Sequence, residues 1–185
     1  MQHRIPASEA KGIFIESDEV FEIYVKTTDA SEMQINAEVE GENFESILLS
    51  TSIENGLWYI QTNRSVGFNP IDDKLAAHKV ISVVLNIEMP AYKELWVTSN
   101  LASVNAEGRY QFINLNLSGG DCTLFNFLGN GIVNTLRGSI AVDTQHTAID
   151  FLSRNGNENI ENKPNGKYHL NLKSVDGNIS VSQSE

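Results

Sequence analysis

Apolar residues return along the second half of the chain at a fixed step. Val97, Leu115 and Val133 stand 18 residues apart, and so do Val104, Cys122 and Ile140 and, in a third column, Ala106, Leu124 and Val142. Ala102, Gly120 and Gly138 put a small residue at one equivalent place. Apolar and polar residues alternate on either side of it, the period-two signature of strands with one buried face. A fourth copy starts at Ile149 and Phe151 with Gly156 in the small column, and Ile160 then falls two residues late. A fifth holds Leu170, Leu172, Gly177, Ile179 and Val181, each 39 residues beyond its counterpart in the third.

A unit this short cannot bury its own apolar positions, but stacked on its neighbours at about 4.8 Å it can. The period therefore predicts a coil with one turn per copy: a strand, a tight corner at the small residue, a second strand and a return. Val97, Leu115, Val133, Phe151 and Leu172 form one inward column of that coil. Val104, Cys122, Ile140, Ile160 and Ile179 form another. Glycine suits the corner because positive φ or a close backbone approach costs it least. A β-sandwich of hairpins is the rival, but it does not call for equal spacing three times over. Alternation puts Leu115, Cys122, Leu124, Val133, Ile140 and Val142 inside, and Asn116, Thr123, Asn134 and Ala141 outside. Ser180 to Glu185 is expected as the final strand, its outer edge bare and open to another chain or to first-half residues.

The first half is also strand-rich but irregularly spaced. Ile13 and Ile15, then Val20, Ile23 and Val25, then Ile35, Ala37 and Val39 mark separate strands, followed by Ile47-Leu48-Leu49. Asn55-Gly56 is a hairpin signal leading into Leu57 and Tyr59. Val83, Leu85 and Ile87 close this part, and Pro90 places the break at Met89-Pro90-Ala91. No apolar set keeps helical spacing over three turns; Asp72 to Lys79 reads as a loop with one helical turn. The fold class is all-β: irregular N-terminal strands continuing into a short parallel β-helix-like stack of about five coils. The expected organisation is 1–90, a β part packed on the repeat, and 91–185, the repeat itself, as one continuous domain.

Charge narrows the functions. With 24 acidic against 13 basic side chains the formal net charge is −11. That excludes nucleic acid, which needs a basic face, and disfavours anionic lipid. No apolar run approaches the roughly 18 residues of a membrane helix. Cys122 is the single cysteine, so neither an internal disulfide nor a cysteine metal cluster is available. The opening MQHRIPASEAKG lacks the apolar core of a signal peptide. Either the protein is cytoplasmic, or a signal or lipid anchor has been removed and the expected place is the periplasm or cell surface.

The pattern resembles the putative auto-transporter adhesin head (GIN) domain and the putative-adhesin family of Bacteroidota. Ile87-Glu88-Met89-Pro90, Leu95-Trp96-Val97-Thr98-Ser99, Gly138-Ser139-Ile140-Ala141-Val142 and Gly177-Asn178-Ile179-Ser180-Val181 carry the likeness. It covers most of the chain and brings no catalytic signature. It implies a secreted or periplasmic β-helical domain.

Candidate chemistry is sparse. Asp143, His146 and Asp150 lie close in sequence, but no second histidine accompanies them, and they read as solvated or structural. His3, His78 and His169 show no ligand spacing. Cys122 sits in an inward column as a small hydrophobe, and Asp121 serves the turn at Gly119-Gly120. Asn63 to Gly67 lacks the lysine element of a phosphate loop. No catalytic, cofactor or metal residue is assigned. Trp58, Trp96, Tyr92 and Tyr110 carry more weight, since exposed aromatics stack on sugar rings or anchor protein partners; Trp96, Tyr92 and Tyr110 are the candidate binding surface. The expected function is a non-enzymatic surface or periplasmic binding or scaffold module for a glycan or protein, with homo-oligomerisation through strand edges. One alternative is a polysaccharide-acting enzyme, which needs paired carboxylates on one face. Glu107, Phe125 and Asp143 form one equivalent set and Arg109, Phe127 and Gln145 another, and neither concentrates them. The second alternative is a self-assembling scaffold.

Overall fold

The computed structural model describes residues 1–41, 47–64, 82–160 and 165–183. Asp72 to Lys79 with His78, Ser65 to Gly67, and Ser184-Glu185 lie outside the described residues. The described chain contains fifteen strands and no helix. They are β1 (Gln2–Pro6), β2 (Gly12–Glu16), β3 (Val20–Thr28), β4 (Glu32–Glu40), β5 (Ile47–Glu54), β6 (Leu57–Arg64) and β7 (Ser82–Pro90). The second half supplies β8 (Lys93–Ser99), β9 (Ser103–Leu117), β10 (Cys122–Thr135), β11 (Ile140–Thr144), β12 (Thr147–Ser153), β13 (Glu158–Ile160), β14 (Tyr168–Ser174) and β15 (Ile179–Ser182). All belong to one mixed sheet.

The pairing runs in two rows. The first is β5, β6, β2, β8, the latter part of β9, the latter part of β10, β14 and β12. The second is β1, β4, β7, β3, the early part of β9, the early part of β10, β11, β15 and β13. Pairing is antiparallel only at β1, β4 and β7 and between β5 and β6, and parallel elsewhere. A corner joins a first-row strand to a second-row strand, and the two together make a rung. The returns expected as loops are strand for β9 and β10, which bend from one row into the other.

Sequence spacing and spatial pairing agree through the middle. Val97 lies beside Leu115 and Leu115 beside Val133, while Val104 lies beside Cys122 and Cys122 beside Ile140. Leu115, Cys122, Leu124, Val133, Ile140 and Val142 are all buried. Asn116 and Thr123 are exposed, and Asn134 and Ala141 are half-buried on the outer side. The inward positions of both rows merge into a single apolar cluster. The hairpin is also present: Asn55 and Gly56 carry φ of 51° and 77° between β5 and β6, as a primed turn requires. In β6, however, Trp58 and Ile60 point inward and Leu57 and Tyr59 do not.

Both ends depart from chain order. The fifth copy lies between the third and the fourth: Leu172 pairs with Val133 on one side and Phe151 on the other. Likewise Ile179 pairs with Ile140 and Glu158, and Ile160 lies opposite Val181. The final strand is therefore not the bare edge expected of Ser180 onward, because β11 and β13 cover both its sides. The outermost strands are β12 and β13, and accordingly Phe151 and Ile160 are only half-buried. At the other end, the rung β2–β3 is threaded between β6–β7 and β8–β9 in the same manner.

The corners show why the small column exists. A Cβ on Gly120 would stand 1.9 Å from the Ala102 carbonyl oxygen, and one on Gly138 1.9 Å from that of Gly120. Gly177 would meet Gly138 at 2.0 Å and Gly156 would meet Gly177 at 2.2 Å. None of these four glycines has a positive φ, so close backbone approach is the reason. A hydroxyl three residues earlier completes the corner. Ser17, Ser99, Ser153 and Ser174 accept the N–H of Val20, Ala102, Gly156 and Gly177. Thr135 instead donates to the Gly138 carbonyl at 2.6 Å.

Candidate functional site

Two outer surfaces carry exposed aromatic rings. On the first row Tyr59, Phe14 and Trp96 stand in register on β6, β2 and β8. Phe112 joins from β9, two residues from the Asn114 that faces Trp96. Phe14 and Tyr59 meet edge to face at 4.5 Å, and Trp96 and Phe112 lie tilted at 5.7 Å. Each of the four is half-buried. The Trp96 indole donates to Glu94 at 3.0 Å, and Glu94 also pairs with Lys11 at 3.4 Å. Beside the ridge runs an amide ladder in which Asn134 donates to Asn116 and Asn116 to Asn114. Sequence reasoning found Trp96 but missed Phe14, Tyr59 and Phe112. Their signal was outward parity in strands whose mutual register the sequence does not state.

The second surface is a groove of about 370 Å³ on the outer face of the second row. Tyr24 on β3 and Phe125 on β10 form its walls, 41% and 53% exposed. Between them β9 presents Asn105, in register with Tyr24 and Thr123, and Glu107, in register with Lys26 and Phe125. Lys26 and Glu107 pair at 3.3 Å. The Tyr24 hydroxyl donates to the Glu22 carboxylate, and this bond is the first cause raising the tyrosine's pKa.

The remaining sequence candidates scatter. Tyr92 is exposed at the two-residue link from β7 to β8, with φ of 64°. Tyr110 belongs to no surface: it is 1% exposed and its hydroxyl lies 3.1 Å from the carbonyls of Val25 and Glu107. Its ring stacks on Phe127 at 5.9 Å, and burial raises its pKa well above the ordinary value. Tyr110 keeps the inward parity of Val104 and Ala106 past Gly108, whose φ is 108°, and the alternation reverses only after it, so that Ile113 and Leu115 face inward. Trp58 is equally buried, at 1%. In β10 the bulge around Asn126 shifts the register, so Arg109 lies opposite Leu128 and not Phe127.

The polar candidates serve corners and bulges. Asp121 accepts the Ser139 N–H at 2.8 Å, and Asp143 that of Asn126 at 3.3 Å. His146 and Asp150 are exposed. Among the described residues no three His, Cys, Asp or Glu side chains gather into a metal-binding group. Burial, with Asp121 alongside, pushes the Cys122 thiol up to about 12, so at neutral pH it is a packing group and no nucleophile.

No protein-family model matches the chain, and no curated protein does. Among solved structures it is similar to a "putative cell adhesion protein" of Clostridium sporogenes, with a TM-score of 0.66 at 10% identity over 100% of this chain and 99% of that one. A "putative adhesin" of Bacteroides fragilis follows at TM-score 0.33 and 11% identity, covering 98% and 96%. A "putative lipid binding protein" of Parabacteroides distasonis gives TM-score 0.31 at 13% identity, with the same coverage. The first is a likeness of fold along the entire chain. The other two superpose too loosely to carry an argument.

Proposed function

We propose that the chain is a non-catalytic binding module of the cell surface or periplasm, an adhesin-type domain. In this reading the two rows of rungs make a short β-helix, one continuous domain from the N-terminal strands into the repeat. The observation that carries it is the outward aromatic ridge of Tyr59, Phe14, Trp96 and Phe112 across four neighbouring strands. Aromatic rings held half-exposed on a rigid sheet are contact area with little conformational entropy left to lose on binding. Of the carboxylates weighed for catalysis, Asp121 serves a corner, Asp143 the bulge at Asn126, Glu107 pairs with Lys26, and Asp150 is exposed.

The test is retention of the labelled protein on arrays of glycans and of extracellular proteins. Saturable retention is expected, reduced by changing Trp96 and Phe14 to alanine while the circular dichroism stays unchanged. Incubation with the glycans should release no reducing ends or unsaturated products. Turnover abolished by neutralising one of Glu107, Asp121, Asp143 or Asp150 would overturn the reading.

One observation favours self-association as a second reading. Among the described residues β1, β5, β12 and β13 are paired on one side only, and free strand edges template further pairing. Sedimentation at several concentrations checks it: a monomer throughout removes this reading.

A further inference from the structure

We propose that the groove of the second row binds one pyranose ring of a neutral glycan between Tyr24 and Phe125. The inference rests on the binding-module reading, but places recognition on a different face from the ridge. Tyr24 and Phe125 stand two strands apart and two residues out of register, about 12 Å in backbone spacing. A ring lying at van der Waals distance from both needs about 8 Å between the walls. A groove of about 370 Å³ is wide enough for such a ring and part of its neighbour. At the first wall the Tyr24 hydroxyl donates to Glu22.

The chemistry of the floor selects the class. Asn105 and Thr123 offer donors and acceptors suited to adjacent hydroxyl groups. Glu88 and Glu107 supply acceptors beside them, with Lys26 already paired to Glu107. Carboxylates therefore outnumber ammonium groups here. Sulfate, phosphate or uronate on the ligand would meet like charge, and among the described residues lining the groove the ammonium of Lys26 is already paired. A peptide strand is disfavoured for another reason: on a sheet face the backbone groups are already paired in both ladders, and strand addition needs an edge.

The experiment is calorimetric titration of the full chain with neutral β-linked oligosaccharides (gluco-, manno-, galacto- and N-acetylglucosamine series) and with sulfated and sialylated counterparts. Binding of at least one neutral series is expected, with amide shifts at Asn105 and Thr123. Tyr24→Ala or Phe125→Ala should weaken it about tenfold, the equivalent of one lost stacking wall, while Leu152→Ala, exposed on β12 away from both surfaces, leaves it unchanged. Both walls are exposed, so these variants should melt as the parent does. Binding lost in Trp96→Ala and kept in Tyr24→Ala overturns the groove in favour of the ridge and leaves the binding-module reading standing. Preference for sulfated or sialylated ligands overturns the groove as well. So does silence towards every neutral glycan, and retention on extracellular proteins would then show the module reading to have survived alone.

Discussion

From Lys93 to Thr144 the strands β8, β9, β10 and β11 pair with one another about 18 residues apart, and chain order is spatial order. From Thr147 to Ser182 the neighbour changes: β14 lies against β10 and β15 against β11, and the earlier-made β12 and β13 are pushed outside. The middle rungs are covered on both sides and their inward residues are fully buried. The outer rung has one covered side, and its Phe151 and Ile160 are half-buried. The difference teaches that the period encodes a type of neighbour and not an identity. Any copy with an apolar residue at the column positions can occupy a place in the stack, so insertions between copies decide which one does.

The comparison breaks most sharply at the small column. Gly138→Val would drive a side chain into the Gly120 carbonyl while the Gly177 corner presses from the opposite side. With neither neighbour able to retreat, a loss of about 4 kcal/mol or more is expected, seen as the collapse of cooperative urea unfolding. Gly156→Val makes the equivalent clash with Gly177 from the outermost rung, which can move away. Its loss should be visibly smaller, and equal losses would mean that the end is as constrained as the middle.

A milder contrast sits within one inward column. Leu115→Ala should cost about 3 kcal/mol, since a fully buried leucine leaves a cavity between two rungs. Phe151→Ala should cost less, about 1–2 kcal/mol despite its larger side chain, because the ring is only partly buried and no rung covers its outer side. Chemical denaturation measures both.

The smallest effect concerns pH. The Cys122 thiol is raised by burial from an ordinary value near 9 to about 12 in the folded chain. The unfolded chain thus releases its proton first, and the native state binds more protons between these values. Stability from this group is complete below pH 9 and falls away as pH rises towards 12. Tyr110, raised for the same reason, adds to the alkaline loss. Cys122→Val should flatten the slope of unfolding free energy between pH 9 and 11. A slope unchanged by that substitution would show that the thiol carries none of it.

Much of the middle was legible in the sequence because stacking makes one-dimensional spacing and contact the same thing there. Val97, Leu115 and Val133 announced their pairing by equal separation alone. The order of the last copies was not legible, because Phe151 stands one period beyond Val133 while its real neighbour is Leu172. The corner hydroxyls were hidden by their commonness: Ser99, Ser153 and Ser174 look like turn residues, and Leu117 and Thr135 interrupt the column. The candidate surface was half legible. Trp96 has the right parity in its strand, whereas Tyr110 shares the inward parity of Val104 and Ala106 and faces the core, and neither Tyr24 nor Phe125 belongs to the inward apolar columns. Their meeting depends on β3 lying two strands from β10, which no local pattern encodes.

The threading of β14 and β15 between older neighbours also sets a problem of timing. A chain emerging from its N-terminus completes β12 and β13 first, while the edges of β10 and β11 are still vacant. Phe151 is then one period from Val133, so the plain continuation of the repeat offers β12 a decoy berth. The native arrangement requires that berth to be left open, or vacated, until Leu170 and Leu172 arrive. Long-range strand pairing is slow to begin with, and a competing register adds a trap that must be escaped. The end of this molecule is therefore where a newly made chain is expected to fold last. A slow late refolding phase, quickened when Phe151 is replaced by a polar residue, would be the trace of that delay.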